Sequence, residues 1–167
     1  MNEIVTSHIT TPLGPMIVGV FDNHVCILEF TNRRGFDAEV TSLQKMLNVP
    51  MVQKKHLLHS RVEQQITEYF EGTLKEFDFP VLITGTDFEN AVWKVLDEIP
   101  YGETRTYLQI AEEIENPRAV RAVGRAIGKN KICIAIPCHR VIGSNGSLTG
   151  YASGLPRKQW FLEHEKK

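Results

Sequence analysis

Hydrophobic residues in positions 1–35 come in short β-branched runs separated by turn formers. Ile4-Val5-Thr6, Met16-Ile17-Val18-Gly19-Val20-Phe21 and Val25-Cys26-Ile27-Leu28-Glu29-Phe30 read as strands, with Thr11-Pro12-Leu13-Gly14-Pro15 and Asp22-Asn23 between them. Such short connections predict an antiparallel meander. From Asp37 the spacing becomes helical. Val40, Leu43 and Leu47 fit a helix that Asn48-Val49-Pro50 ends; Val62, Ile66, Tyr69 and Phe70 fit a second, from about Ser60 to Glu71, stopped by Gly72. His56 and His59 precede it and read as solvated. Leu74 to Ile83, where Phe and Val alternate with other residues, predicts a further strand.

Thr84-Gly85-Thr86 marks a boundary, dividing the chain into 1–84 and 85–167. Beyond it the pattern is mostly helical, so the fold class is α+β. Asp87 can cap a helix through Phe88, Ala91, Val92, Val95 and Leu96, with Trp93 in its core, and Ile99-Pro100-Tyr101-Gly102 breaks it. Thr106 can cap a helix from Tyr107 to Ile114. Asn116-Pro117 ends that one, and Pro117 suits the first position of the next, which runs to about Ile127 with Gly128 and Asn130 as stops. Two short helices joined by a tight turn form a helix-turn-helix pattern. On the second, Arg118, Arg121, Arg125 and Lys129 make a basic stripe, Val120, Val123 and Ile127 an apolar one, and Ala119, Ala122, Gly124 and Ala126 lie between. Small residues beside arginines let a partner's backbone approach closely, and DNA is the partner this stripe favours. Leu155 to Lys167 predicts a final helix.

Charge sharpens that picture. Net charge is −1, but residues 1–99 carry 8 basic and 14 acidic side chains whereas residues 100–167 carry 11 and 6. Only the C-terminal part is suited to a polyanion. Three cysteines, an odd number, argue against a disulfide framework and for a reducing, cytoplasmic setting; no signal peptide or membrane-spanning run is expected. His24 and Cys26 lack a second pair at ligand spacing, so no zinc site is expected there.

The chemistry concentrates at Ile136-Pro137-Cys138-His139-Arg140-Val141-Ile142-Gly143. Ile132 to Ile136 reads as a buried strand or extended segment, and Pro137 excludes a helix interior. Cys138 then sits where buried chain stops, among cationic neighbours that favour a thiolate nucleophile. Cys26 and Cys133, inside apolar runs, read as small buried hydrophobes. Neighbours on an extended chain face opposite ways, so His139 needs a kink at Pro137 or a bridging water to reach the sulfur. Glu165, near the chain end, can complete a Cys–His–acid arrangement by orienting His139. Gly150-Tyr151-Ala152-Ser153-Gly154 is a small-residue loop able to wall a narrow pocket.

These residues resemble the O6-alkylguanine-DNA alkyltransferases, also called methylated-DNA–protein-cysteine methyltransferases. The likeness runs from about Phe88 to Glu165 and includes Pro100-Tyr101-Gly102, Asn116-Pro117, Arg121 with Ala122-Val123-Gly124, Asn130 and the Tyr151 to Glu165 ending. The resemblance implies an RNase H-like α/β scaffold over 1–84 and a winged helix-turn-helix-like domain over 85–167. It implies single-turnover transfer of an alkyl group from O6-alkylguanine, and from O4-alkylthymine, to Cys138. His139, through a water, takes the thiol proton; Glu165 polarises His139; Asn130 braces the turn; Tyr107 assists the departing guanine. Arg121 fills the vacated place in the base stack from the minor groove, beside Arg118, Ala119, Ala122, Gly124, Arg125 and Arg140. Val141, Tyr151, Ala152 and Ser153 line the alkylguanine pocket. Ala152 and Ser153 depart from the family's usual serine and glycine, and Ser153 is expected to narrow the pocket. The implied partner is double-stranded DNA, met by a monomer, with cooperation between molecules left open. A lesion sensor without transfer and a Cys–His–Glu hydrolase are the alternatives. The first usually lacks the cysteine, and the second leaves the arginine helix unexplained.

Overall fold

A computed structural model describes residues 2–167, which fall into two compact units, 2–84 and 85–167. The chain is a mixed α+β protein. The first unit holds strands β1 (Ile4–Thr11), β2 (Gly14–Phe21), β3 (His24–Phe30) and β4 (Met51–Gln53), with helices α1 (Phe36–Leu47) and α2 (Leu57–Glu71). The sheet order is β3-β2-β1-β4; the first three strands form the antiparallel meander and β4 joins β1 in parallel.

Both faces of this sheet are covered, which is why β2 and β3 read as continuous apolar runs rather than alternating ones. Ile4, Ile17 and Ile27 pack with Leu43, Phe36, Val40 and Leu47 of α1. Alternation turns Val5, Val18 and Val20 the other way, onto the face where α2 meets β1 and β2; all three are buried. Gly19 permits the crowding: a Cβ there would lie 2.6 Å from the Ile27 side chain.

Two expectations fail in this unit. Residues 74–83 form no strand; Val81 makes only an isolated bridge to Val25, because Pro80 cannot donate to a ladder. The Phe spacing there serves ring packing instead, Phe77 lying 5.7 Å from both Tyr69 and Phe79. His56 and His59 are also more than solvated residues. His56 caps α2 by accepting from Leu58 N, and His59 Nδ1 accepts from His56 N at 3.2 Å. His59 Nε2 donates to Val5 O at 3.0 Å and the residue is buried, so it is neutral with its proton on Nε2. Burial holds its pKa below the usual 6.5, with the nearby His56 adding to the effect. A lowered histidine pKa contributes stability that is intact above the unfolded value and declines as pH falls through about 6.5. Urea denaturation of the intact chain at pH 7.5 and 5.5 is expected to show a lower midpoint at pH 5.5, and His59→Ala is expected to flatten that difference.

The second unit contains α3 (Asp87–Asp97), β5 (Arg105–Thr106), α4 (Tyr107–Glu113), α5 (Val120–Gly128), β6 (Val141–Ile142) and α6 (Leu155–Glu165), with β5 parallel to β6. Thr86, rather than Asp87, caps α3, closing a reciprocal box with Glu89; Thr106 and Gln109 do the same for α4. Pro117 lies in the connection rather than in α5, whose first turn waits until Val120. Glu115 at φ 60° turns the chain, and Asn116 N bonds to Ala111 O. Trp93 Nε1 donates to Ala126 O at 2.8 Å and ties α3 to α5. Among the described residues no helix is long and apolar enough to cross a membrane.

Candidate active site

The buried run before the cysteine is a stack of turns, not a strand. Ala135 N bonds to Cys133 O, Ile136 N to Ile132 O and Cys138 N to Ile136 O, and Ile134 sits at φ 72°. A β-branched residue in that region is strained by about 1–3 kcal/mol. The Asn130 side chain replaces the missing strand partner. It accepts from Ile132 N at 3.0 Å and donates to Ile132 O at 3.3 Å and Ile136 O at 2.9 Å. Asn130 is 3% exposed, so these bonds form away from water.

Cys138, His139 and Arg140 then form one turn of 3₁₀ helix, which supplies the kink the extended reading lacked. Cys138 is 7% exposed and His139 fully buried. His139 Nε2 lies 2.6 Å from Glu165 Oε2. A carboxylate only accepts, so Nε2 carries the proton. His139 Nδ1 is buried and has no hydrogen-bond partner among the described residues. Burial pulls the imidazole below its usual pKa of 6.5, against the pull of Glu165 and with help from Arg140 and Lys158. Burial alone raises the Glu165 pKa, but the bonds and charges of His139 and Arg140 outweigh it and hold the carboxyl well below its usual range. Gly102 N also reaches Glu165 Oε1, at 3.3 Å, and at φ 80° this turn needs glycine.

Arg140 is not at a nucleic-acid surface. It is 6% exposed, with Nε 2.8 Å from Glu165 Oε1, Nη2 3.1 Å from Oε2 and Nη1 2.6 Å from Ile99 O. Its charge is committed inside the unit, which corrects its expected place among the DNA contacts.

Tyr107 lies close enough to Cys138 to be affected by its charge, and the expected pocket residues differ in burial. Tyr107 OH donates to Thr149 O at 2.9 Å; burial raises its pKa, as does the proximity of Cys138. Tyr151 and Ala152 are half-buried, while Val141 and Ser153 are buried. Arg121 and Arg125 of α5, and Arg118 in the turn just before it rather than on the helix as expected, are exposed, and no carboxylate among the described residues pairs with them; Lys129 meets Glu89 at 3.5 Å. Ala119, Ala122 and Gly124 are half-buried beside them, and a Cβ on Gly124 would lie 3.9 Å from the Tyr107 ring.

Two groups escaped the sequence reading. Lys158 is fully buried, donates to Thr149 O at 2.9 Å, and lies 5.7 Å from the Tyr107 ring centroid. Burial pushes its ammonium down to about 8, opposed by its electrostatic interaction with Cys138. Its signal was in the sequence: Lys158, Phe161 and Glu165 share the buried face of α6 at helical spacing. Cys133, read as inert, has its sulfur 3.3 Å from Tyr151 OH. Among the described residues no group of His, Cys, Asp and Glu is arranged to hold a metal ion.

The family profile described as the DNA-binding domain of 6-O-methylguanine DNA methyltransferase matches residues 87–167. A methylated-DNA–protein-cysteine methyltransferase of Methanosarcina barkeri is 43% identical over 160 residues, which cover 95% of this chain and 94% of the relative. This chain belongs to the methylated-DNA–protein-cysteine methyltransferase family. The crystal structure of the Mycobacterium tuberculosis O6-methylguanine methyltransferase, another protein of this kind, superposes with TM-score 0.82 at 39% identity, covering 99% of this chain and 93% of that one. The same M. tuberculosis protein solved in complex with DNA also gives 0.82, at 38% identity, covering 97% and 92%. Membership extends through the first unit, which the M. barkeri relative also covers.

Proposed function

We propose that this protein repairs DNA by moving the alkyl group of O6-alkylguanine, in one irreversible step, onto Cys138. The observation that carries this reading is His139, in the same turn as Cys138, held by buried Glu165 of α6 through Nε2 and with its Nδ1 left to accept a proton. A water between Sγ and Nδ1 relays the thiol proton to His139. The thiolate attacks the alkyl carbon, the carbon–O6 bond breaks, and its electron pair stays with guanine, which is protonated from Tyr107 or solvent. The products are S-alkylcysteine and guanine. No group in the site can cleave a thioether, so each molecule acts once.

The target carbon is hidden in a duplex, so the nucleotide is everted into the space bounded by Val141, Tyr151, Ala152 and Ser153. Helix α5 meets the minor groove as the second helix of a winged helix-turn-helix-like unit over 85–167, with the RNase H-like unit over 1–84 as scaffold. Small Ala119, Ala122 and Gly124 allow close approach, and Arg121 occupies the gap in the stack. The unpaired arginines of α5 support this reading. Buried Ser153 is expected to slow reaction with bulky O6 adducts relative to methyl.

Incubation with duplex DNA bearing O6-methylguanine, followed by mass spectrometry, tests the reaction. One added methyl group per molecule, mapped to Cys138, is expected; an unchanged mass, or methylation elsewhere, overturns the reading. Arg121→Ala is expected to slow repair of duplex DNA roughly thirtyfold, equivalent to about 2 kcal/mol of lost support for the everted state, while reaction with the free modified base is unchanged. Single-turnover rates on the two substrates check this; equal loss on both would remove Arg121 from the proposed role.

A further inference from the structure

Arg140 occupies an unusual position for a residue of the cysteine's own turn. Its fork grips both Glu165 oxygens, Nε at 2.8 Å from Oε1 and Nη2 at 3.1 Å from Oε2, while Nη1 is anchored on Ile99 O at 2.6 Å. Oε2 is therefore shared between the guanidinium and His139 Nε2, and Oε1 between the guanidinium and Gly102 N. Only arginine supplies a planar set of donors able to hold two carboxylate oxygens and a carbonyl together. Without it, Glu165 would keep only His139 Nε2 and Gly102 N, and its negative charge would bear more strongly on the imidazole, against the burial that disfavours the charged form.

We propose that Arg140 is a positioning residue that, by dividing the Glu165 carboxylate, keeps His139 uncharged and leaves its Nδ1 available to the Cys138 thiol. The proposal rests on the alkyl-transfer reading for its catalytic meaning but not for its test. A protonated His139 has no lone pair on Nδ1 and cannot act as the base. The charged groups that bear on His139 are Glu165, Arg140 and Lys158. Lys158 is itself coupled to Cys138, and Asp97 and Tyr101 lie within the electrostatic reach of Arg140.

The test is the imidazole titration of His139, followed by NMR in the full chain without DNA, for wild type, Arg140→Lys, Arg140→Met and Arg140→Met with Glu165→Gln. Arg140→Met is expected to raise the His139 midpoint by about one pH unit or more, a tenfold change in proton affinity. Arg140→Lys, which keeps the charge but loses the fork, is expected to fall between it and wild type. Removing both charges in the double variant is expected to return the midpoint to the wild-type value or below. In single-turnover transfer, the acidic limb of the rate profile is expected to move upward in Arg140→Met, with the loss shrinking as pH rises. Should Arg140→Met fail to fold, Arg140→Lys and the double variant carry the comparison. An unchanged His139 midpoint in the folded Arg140 variants, or an equal loss of rate at every pH, overturns the proposal. Because the titration is read without substrate, its failure leaves the transfer reading intact, and absence of methyl transfer leaves the titration result standing.

Discussion

Cys138→Ser is expected to abolish alkyl transfer completely, while Cys26→Ser leaves it at the wild-type level. The chain's thiols sit in different surroundings. Cys26 is fully buried in β3, its Sγ 3.5 Å from Gly19 O, and burial pushes its pKa up to about 12. It has no thiolate to offer near neutral pH. Cys138 lies in a turn beside a neutral imidazole, with a buried ammonium on α6 that gains from a negative sulfur. An O6-alkyl carbon is a poor electrophile and needs a soft, ionised nucleophile; a serine hydroxyl ionises far less readily than a thiol of pKa about 8.5 and has no comparable reactivity. Mass spectrometry of each variant after exposure to an excess of O6-methylguanine duplex is the measurement. Methyl transfer to the Cys138→Ser protein would show that another side chain is the acceptor.

Glu165→Ala is expected to destabilise the protein by about 3–5 kcal/mol, the range for removing one partner of a buried ion pair. The truncation strands Arg140 with one remaining bond, to Ile99 O, and leaves His139 Nε2 without its acceptor. Glu165→Gln keeps the volume and one acceptor and is expected to cost less. Chemical denaturation at pH 7 separates the two. The same carboxyl predicts a pH effect with a definite sign. Its folded pKa is depressed, so its contribution is present above the unfolded value of about 4.5 and is lost as pH falls below it. Acid unfolding below pH 4.5 should therefore be shallower in Glu165→Gln than in wild type. Parallel curves would mean that the pair contributes nothing to acid sensitivity.

Local spacing announced most elements of the fold, and it failed where a long-range partner decides the outcome. The β1–β3 meander and the spans of α1, α3, α4 and α6 follow from runs, caps and breakers visible in the chain. Residues 132–136 have the composition of a strand, yet the amide of Asn130 satisfies the groups a neighbouring strand would have met, and the run curls into turns. No rule of periodicity detects that exchange. The joining of β4 to β1 was hidden for the same reason, since three residues carry no pattern of their own. In the site, Cys138, His139 and Glu165 were legible because their chemistry is distinctive. Arg140 misled because a cation beside a DNA-directed cysteine suggests phosphate; only its burial shows which anion it serves. Lys158 escaped because a lysine on a terminal helix ordinarily faces water.

One carbonyl in the Thr149 loop has a consequence for the order of events. Tyr107 from α4 and Lys158 from α6 both donate to it, and Lys158 also reaches Gly150 O at 3.4 Å. In the proposed reaction, a purine that recruits the phenol would sever one of these moorings and leave the other in place. The rim can thus give up a hydroxyl to its guest without coming adrift, because the ammonium beneath still tethers it.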